Sequence, residues 1–234
     1  MMRTCNVDKF IIQNDAIFTL TATHYDAIIF RMPNEATCVL TAGTMTMIAA
    51  GHPFRGSIPH VDDGDVRVVQ LRDVSSDGIV NWDHTVKTKI GGWKEPDWLK
   101  TGDVLFMYRG TRTLAVHIYD VPFNAVCSPN FYLIRVIADS LLPEFLAWQL
   151  NQTPAQSYFR QHAEGSAQLH IRRAELEALQ LTVPSMAEQR KVVELANSAR
   201  SEALILENLI RNREKQLAAV AQHVLQANRG KTNG

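Results

Sequence analysis

Nothing in this chain approaches the run of about 18 apolar residues that a membrane-crossing helix needs. Met1 to Gln13 also lacks the charged segment, apolar run and small-residue cleavage site of an export signal. Neither insertion nor export is indicated, and a cytoplasmic setting with no membrane partner is expected. Cysteine is scarce: Cys5, Cys38 and Cys127 are odd in number, far apart and without a Cys-x-x-Cys pair. That argues against a disulfide framework or a zinc site and reads as small buried thiols. His24, His52, His60, His84, His117, His162, His170 and His223 do not pair at ligand spacing, so no metal and no cofactor is expected.

Catalytic signatures are missing as well. There is no G-x-S-x-G elbow, no H-E-x-x-H and no dinucleotide G-x-G-x-x-G, and Gly230-Lys231-Thr232 lacks the earlier glycine and following helix of a phosphate loop. Ser128-Pro129-Asn130-Phe131 lacks the doubled proline of the N-P-P-Y loop that grips a flipped base, and reads as a turn leading a strand. A non-catalytic protein is the expectation. Excess charge of one sign is absent too: Lys plus Arg and Asp plus Glu are 24 each, which argues against non-specific coating of nucleic acid. It leaves room for a local patch. Asp62, Asp63, Asp65, Asp73, Asp77 and Asp83 are followed by Lys87, Lys89, Lys94 and Lys100, then by Arg109 and Arg112.

Proline and glycine vanish from Ser185 to Gln226, and there the sequence is most informative. Apolar residues fall at Val192, Ala196, Ala199, Ala203, Leu206, Ile210, Leu217, Val220 and Val224, with Arg213 in the one vacant place. Spacings alternating four and three are the seam of a coiled coil. At 1.5 Å per residue the helix runs about 60 Å, longer than a domain of this size is wide, so part of the seam needs another helix. Leu195, Leu204 and Leu209 widen the stripe, which keeps open a helix folded back on its own domain. Ser185 and Glu188 form a capping box at its start: serine accepts from the third helical N–H and glutamate reaches back.

Upstream, short strands are expected at Phe10–Ile12, Ile17–Leu20, Ala27–Phe30, Cys38–Leu40, Val66–Leu71, Ile79–Val80, Val104–Tyr108, Ala115–Tyr119 and Phe131–Val136. Short helices are expected at Pro143–Leu150 and from Thr153-Pro154, with threonine as N-cap, then Arg173–Leu179 and a last strand Leu181–Pro184. The fold class is α+β: a mixed or curled sheet with short helices over 1–184, a long coiled-coil helix over 185–228, and a tail at 229–234.

Several pieces occur in a set order. They are Gly51-His52-Pro53-Phe54-Arg55-Gly56-Ser57, Val66-Arg67-Val68-Val69-Gln70-Leu71-Arg72-Asp73-Val74 and Gly102-Asp103-Val104-Leu105-Phe106-Met107-Tyr108-Arg109-Gly110. Leu142 to Asn151, Gly165-Ser166, Val183-Pro184 and Glu188-Gln189 follow. From about Thr44 to Leu225 this succession resembles the DNA-specificity subunits of type I restriction-modification systems, and residues 1–45 fall outside the likeness. Such subunits usually carry two target-recognition domains joined by two long paired helices, and this chain looks like half of one. The resemblance implies a module that reads one part of a split double-stranded DNA target. It also implies docking to adenine-methyltransferase subunits, and indirectly to restriction subunits, with a second copy or a different half held through the helix. The alternative is a coiled-coil regulator that binds methyltransferase subunits without reading DNA.

Against that background, Arg109, Thr111 and Arg112 around Gly110 place guanidinium forks on a turn, suited to phosphates or to guanine O6 and N7. Arg55 is a further candidate, or else an ion-pair partner of the acidic stretch. Lys87, Lys89 and Lys94 suit backbone contact, and Ser166 with Gln168 suits an adenine edge. Gly102-Asp103 reads as structural, a turn whose aspartate caps backbone N–H groups, and Trp148, Tyr158 and Phe159 read as core. For helix pairing the candidates are Val192, Ala199, Leu206, Ile210, Arg213, Leu217 and Val220.

Overall fold

The computed structural model describes residues 38–91, 95–165 and 168–229, with side chains to residue 223. Elements run in the order β1 (Cys38–Thr41), α1 (Ala42–Met45), β2 (Thr46–Ala50), β3 (Val66–Val69), β4 (Val86–Thr88), β5 (Val104–Met107), β6 (Arg109–Gly110), β7 (Ala115–His117), β8 (Ala125–Cys127) and β9 (Phe131–Val136). Then follow α2 (Pro143–Leu150), α3 (Thr153–His162), β10 (Leu169–His170), α4 (Arg173–Ala178), β11 (Gln180–Val183) and α5 (Met186–Arg229). The strands expected at Phe10–Ile12, Ile17–Leu20 and Ala27–Phe30 lie outside the described residues. No described helix is long and apolar enough to cross a membrane.

The sheet is divided where a single curled one was expected. An antiparallel sheet runs β2-β9-β5-β7, and a mixed one runs β4-β3-β8 with β3 parallel to β8. β1 pairs with β11, and β6 with β10. The uninterrupted apolar run of β5 follows from burial on both faces: Val104 and Phe106 join the core packed under α2 and α3, while Leu105 and Met107 join a second core toward β8. β9 does the same, sending Tyr132 and Ile134 one way and Phe131 and Leu133 the other. The edge strand β7 is closed by a side chain: Asn151 Oδ1 accepts from Ala115 N (2.9 Å) and its Nδ2 donates to Ala115 O (2.8 Å).

Gly102-Asp103 is the structural turn the sequence indicated. Gly102 sits at φ +90°, and the buried Asp103 accepts from Lys100 N (2.8 Å) and bidentately from Arg135 Nε (2.7 Å) and Nη2 (2.9 Å). Phe159 is fully buried, and Trp148 and Tyr158 pack against the same core. Two readings are corrected. α3 begins at Thr153 with Gln152 as its N-cap residue, because the Gln152 carbonyl already takes the Gln156 N–H (2.9 Å). Cys127 is buried and its thiol pKa is pushed up to about 12 by that burial, but Cys38 is exposed, since among the described residues β1 has only β11 beside it.

α5 starts on its capping box: Ser185 N donates to Glu188 Oε2 (3.0 Å) and Glu188 N to Ser185 Oγ (3.3 Å). One turn in, the fully buried Gln189 bonds three separate backbone groups: Oε1 accepts from Leu142 N (2.8 Å), and Nε2 donates to Ser140 O (2.7 Å) and Pro184 O (2.9 Å). Val193 is buried and Val192 packs on the core with α2, so the first turns of α5 belong to the domain. Val192, expected in the pairing seam, is thus covered by its own chain.

Replacing Gln189 by leucine, of similar size but without polar atoms, strands the three backbone groups and is expected to cost about 2–4 kcal/mol of unfolding free energy, measured by urea denaturation. A second expectation concerns His117 on β7, whose pKa burial pushes down to about 4 against a weaker upward pull from Asp103. The unfolded imidazole titrates near 6.5, so the unfolded state takes the proton first as pH falls. The resulting stability is complete above pH 6.5 and is lost progressively toward pH 4. Thermal midpoints of the parent and His117→Gln should therefore converge across that window.

Candidate nucleic-acid interface

The end of β5 is clamped by one tyrosine. Tyr108 stacks on Tyr132 (centroids 4.0 Å apart, planes at 17°), its hydroxyl donates to Pro129 O (2.7 Å), and its carbonyl accepts from Ile171 N (2.9 Å). The chain therefore leaves the core at a fixed point, and Arg109 and Gly110 emerge as β6. β6 pairs with β10, placing Arg109 opposite His170 and Gly110 opposite Leu169. This pairing brings together two candidate segments far apart in sequence, the arginine turn and the loop after α3. That loop closes on itself through reciprocal bonds between Glu164 and His170 (3.0 Å each). Gly165 is obligatory there: it sits at φ +87°, and a Cβ would lie 2.5 Å from Gln168 O. Gln168 is exposed at the tip, and Ser166 lies outside the described residues.

Arg109, Thr111 and Arg112 are all exposed. Among the described residues neither arginine has a carboxylate partner, and Arg112 Nη2 makes one long bond to Ser75 O (3.3 Å). Nearby arginines are already engaged: Arg172 pairs with Glu164, and Arg173 with Glu177 at 2.6 Å. Arg55 is exposed and forms no ion pair with the acidic stretch among the described residues. Its loop reaches this end of the sheets through Gly51, where a Cβ would lie 2.0 Å from Ser128 O, so only glycine lets the backbones pass.

The lysines are placed elsewhere. Thr88 pairs with Val66, so Lys87 and Lys89 sit at the start of β3, whereas the arginine turn meets the residues just past its end, where Leu71 Cδ1 packs against Gly110. At 3.3 Å per residue that is a separation of about 13 Å along the strand. Lys89 is also ion-paired with Asp63, and Lys87 is half-buried opposite Arg67. Lys94 lies outside the described residues.

A residue that sequence reasoning passed over joins the face: Arg72, exposed in the 3-10 turn Leu71–Asp73 that follows β3. Its signal was the break in the apolar run Val66–Leu71. Asp73 beneath it is buried, which raises its carboxyl pKa against the opposing hydrogen bond from Gln70 N.

The second functional feature is α5. Beyond Arg200 it leaves the domain, and Leu206, Ile210, Leu217 and Val220 are 53%, 61%, 62% and 61% exposed. Ala199 is exposed as well, and Arg213 donates only to Gln216 of its own helix (3.1 Å). The fold-back alternative therefore holds only for the first turns of α5 and is excluded for the described residues beyond Arg200. Leu195, Ile205 and Leu209 are exposed as well, so the open apolar surface is broader than a single seam.

No protein-family model matches the sequence, and no curated protein matches it either. Solved structures do. The chain is similar to the type I restriction-modification S subunit of M. genitalium (TM-score 0.51, 16% identity, covering 77% of this chain and 42% of that one). It is similar to the HsdS subunit of Thermoanaerobacter tengcongensis (TM-score 0.55, 15% identity, 78% and 42%). It also resembles a chain from a type I restriction-modification system solved to explain complex assembly and conformational transition (TM-score 0.57, 16% identity, 86% and 47%). This chain spans less than half the length of each. At these identities the likeness is one of architecture: an α+β domain with a long C-terminal helix, the fold of a type I restriction-modification S subunit over about half of such a subunit.

Proposed function

We propose that this chain is the sequence-reading component of a type I restriction-modification complex, with one recognition domain over residues 1–184 and a spacer helix over 185–228. It reads half of a split duplex target and directs methyltransferase subunits, and through them restriction subunits, to that site in the cytoplasm. It performs no chemistry itself. The observation that carries this reading is the exposed turn Arg109–Arg112, free of carboxylate partners among the described residues and held by Tyr108 beside the Gln168 loop, on a fold shared with S subunits. Phosphate contacts from Arg109 would position the duplex, and a fork such as that of Arg112 would read a base edge. Gln168, Arg55 and Thr111 extend the same face. Lys87, Lys89 and Lys94 are assigned to backbone contact further along the duplex.

The open seam of α5 is proposed to pair with the same helix of a second copy, antiparallel, through Ala199, Leu206, Ile210, Arg213, Leu217 and Val220. A two-fold axis across that pairing sets two identical domains at opposite ends of the coiled coil, so the target is an inverted repeat around an unread spacer of fixed length.

Electrophoretic retention of a random-sequence duplex pool, with and without a methyltransferase partner, tests the reading. Retention of particular duplexes is expected, and none at all would leave the helix as the chain's only working part. Arg112→Ala should weaken binding by about 1–3 kcal/mol with relaxed preference at one base, whereas Arg109→Ala should weaken all sequences alike and lower the salt slope by about one. Equal binding by parent and both variants at several salt concentrations would show the turn to be merely solvated.

The pairing has its own readout. Leu206→Glu together with Ile210→Lys should abolish dimerisation in analytical ultracentrifugation while leaving the thermal midpoint of the domain in place. Deleting one heptad, about 10 Å of helix, should shorten the preferred spacer by roughly three base pairs. A micromolar monomer that binds a single half-site with full affinity would count against self-pairing.

A further inference from the structure

The turn Ser128–Asn130, legible in the sequence only as the lead into a strand, forms one wall of an open cleft of about 450 Å³. Phe54 and Ser57 line another side, and Gln70 and Arg72 a third. The cleft adjoins the arginine turn: Tyr108 bonds Pro129 and Asn130, and Leu71, between Gln70 and Arg72, packs on Gly110.

Two polar groups of this lining are buried without a partner among the described residues, Ser128 Oγ and Gln70 Nε2, and Ser128 as a residue is only 2% exposed. Buried orphans of this kind are rare in folded proteins and call for a physical account. The Gln70 amide is held by its other end, since its side-chain oxygen takes the Asp73 N–H in the cap of the 3-10 turn. What remains is an NH2 donor. Arg72 adds a guanidinium that is 67% exposed, with Asp73 at 3.9 Å, and no carboxylate lines the cleft. Asn130 supplies a further amide and Phe54 an apolar side.

The one neighbouring carboxylate, Asp73, is buried behind Arg72 and Gln70, and a lining of donors recognises acceptors. We propose that this cleft is a second DNA-contact site that takes an acceptor-bearing group of the duplex, a phosphodiester oxygen or the O6/N7 edge of a guanine. Gln70 Nε2, Ser128 Oγ and Arg72 are the donors. The proposal rests on the DNA-reading function above and extends its contact face from the arginine turn to the Phe54–Ser57 loop.

Three variants of the full chain test it, using duplexes recovered by retention from the random-sequence pool. Gln70→Glu keeps the oxygen that caps Asp73 but replaces the donor with an anionic acceptor; Ser128→Ala removes a hydroxyl that bonds nothing among the described residues; Arg72→Ala trims an exposed side chain. The last two are expected to melt with the parent, so the test stands even where the glutamate variant folds poorly. Gln70→Glu and Arg72→Ala should each weaken retention about tenfold, with a smaller loss for Ser128→Ala. A loss equal on all recovered duplexes, with a salt slope lower by about one for Arg72→Ala, assigns the group to the phosphodiester; a loss confined to duplexes sharing one base pair assigns it to guanine. If the parent retains duplexes and all three variants match it, the cleft is not a contact site, while the DNA-reading function stands. A parent that retains no duplex overturns both.

Discussion

The long helix α5 is fixed to the domain at one joint, the buried amide of Gln189. Two of its three hydrogen bonds go to the backbone before α2, at Ser140 and Leu142, and the third to the backbone before α5, at Pro184. One side chain thereby ties the start of α5 to the segment that leads into α2. Because the amide is fully buried, any tilt of α5 would break bonds that water cannot replace, each worth about 1–3 kcal/mol as an unsatisfied group. Apolar packing of Val192 and Val193 alone would allow the helix to slide by small steps; directional bonds do not. The spacer role proposed for α5 depends on that stiffness.

The same economy of polar contacts operates at the other end of the sheet. Val104–Met107 of β5 and Phe131–Ile134 of β9 are buried on both faces, so groups that could meet a duplex are confined to where the strands leave the core. Tyr108 marks that exit for β5. Its stacking on Tyr132 and its bonds to Pro129, Asn130 and Ile171 gather three loops at one place, which is how Arg109, Gln168 and Arg72 come to share a face despite their distance in sequence. A rigid core with variable side chains at its rim lets base preference change without altering the fold.

Local signals were legible in the sequence wherever one turn of chain settles its own geometry. The Ser185–Glu188 capping box, the Pro143–Leu150 helix, the strand Phe131–Val136 and the Gly102-Asp103 turn are all formed as expected. Thr46–Ala50, Val86–Thr88 and Ala125–Cys127 were not recognised as strands, because short segments with no clear alternation take their conformation from the neighbour they pair with. The candidate site was half legible for the same reason. Arg109 and Arg112 stand out on a glycine turn, but nothing local says which end of β3 a residue occupies. Lys87 and Lys89 therefore stood beside the arginines as candidates although the pairing of β3 with β4 sets them at the other end of β3, whereas Arg72 and Gln70, at the end of an apolar run, gave no local signal of their place next to the arginine turn. Val192 was read as seam because a heptad pattern records which face is apolar, not which partner covers it.

Overall neutrality and a basic face are reconciled by where the acids are used. Asp103 is spent within the core on Arg135, Glu164 on Arg172, Glu177 on Arg173 and Asp63 on Lys89. Only the first of these pairs lies inside the fold, and Asp63–Lys89 lies at the far end of β3; Arg55, Arg109 and Arg112 have no acidic partner among the described residues. An exposed ion pair contributes little to stability, so pairing Arg172 with Glu164 does less for the fold than for the field around it: it removes one cation and one anion from the face at once. The uncompensated charge that remains is small and local. Such a surface has little hold on DNA by charge alone, and under the proposed function discrimination would come from the geometry of a few side chains held at the rim of the sheet.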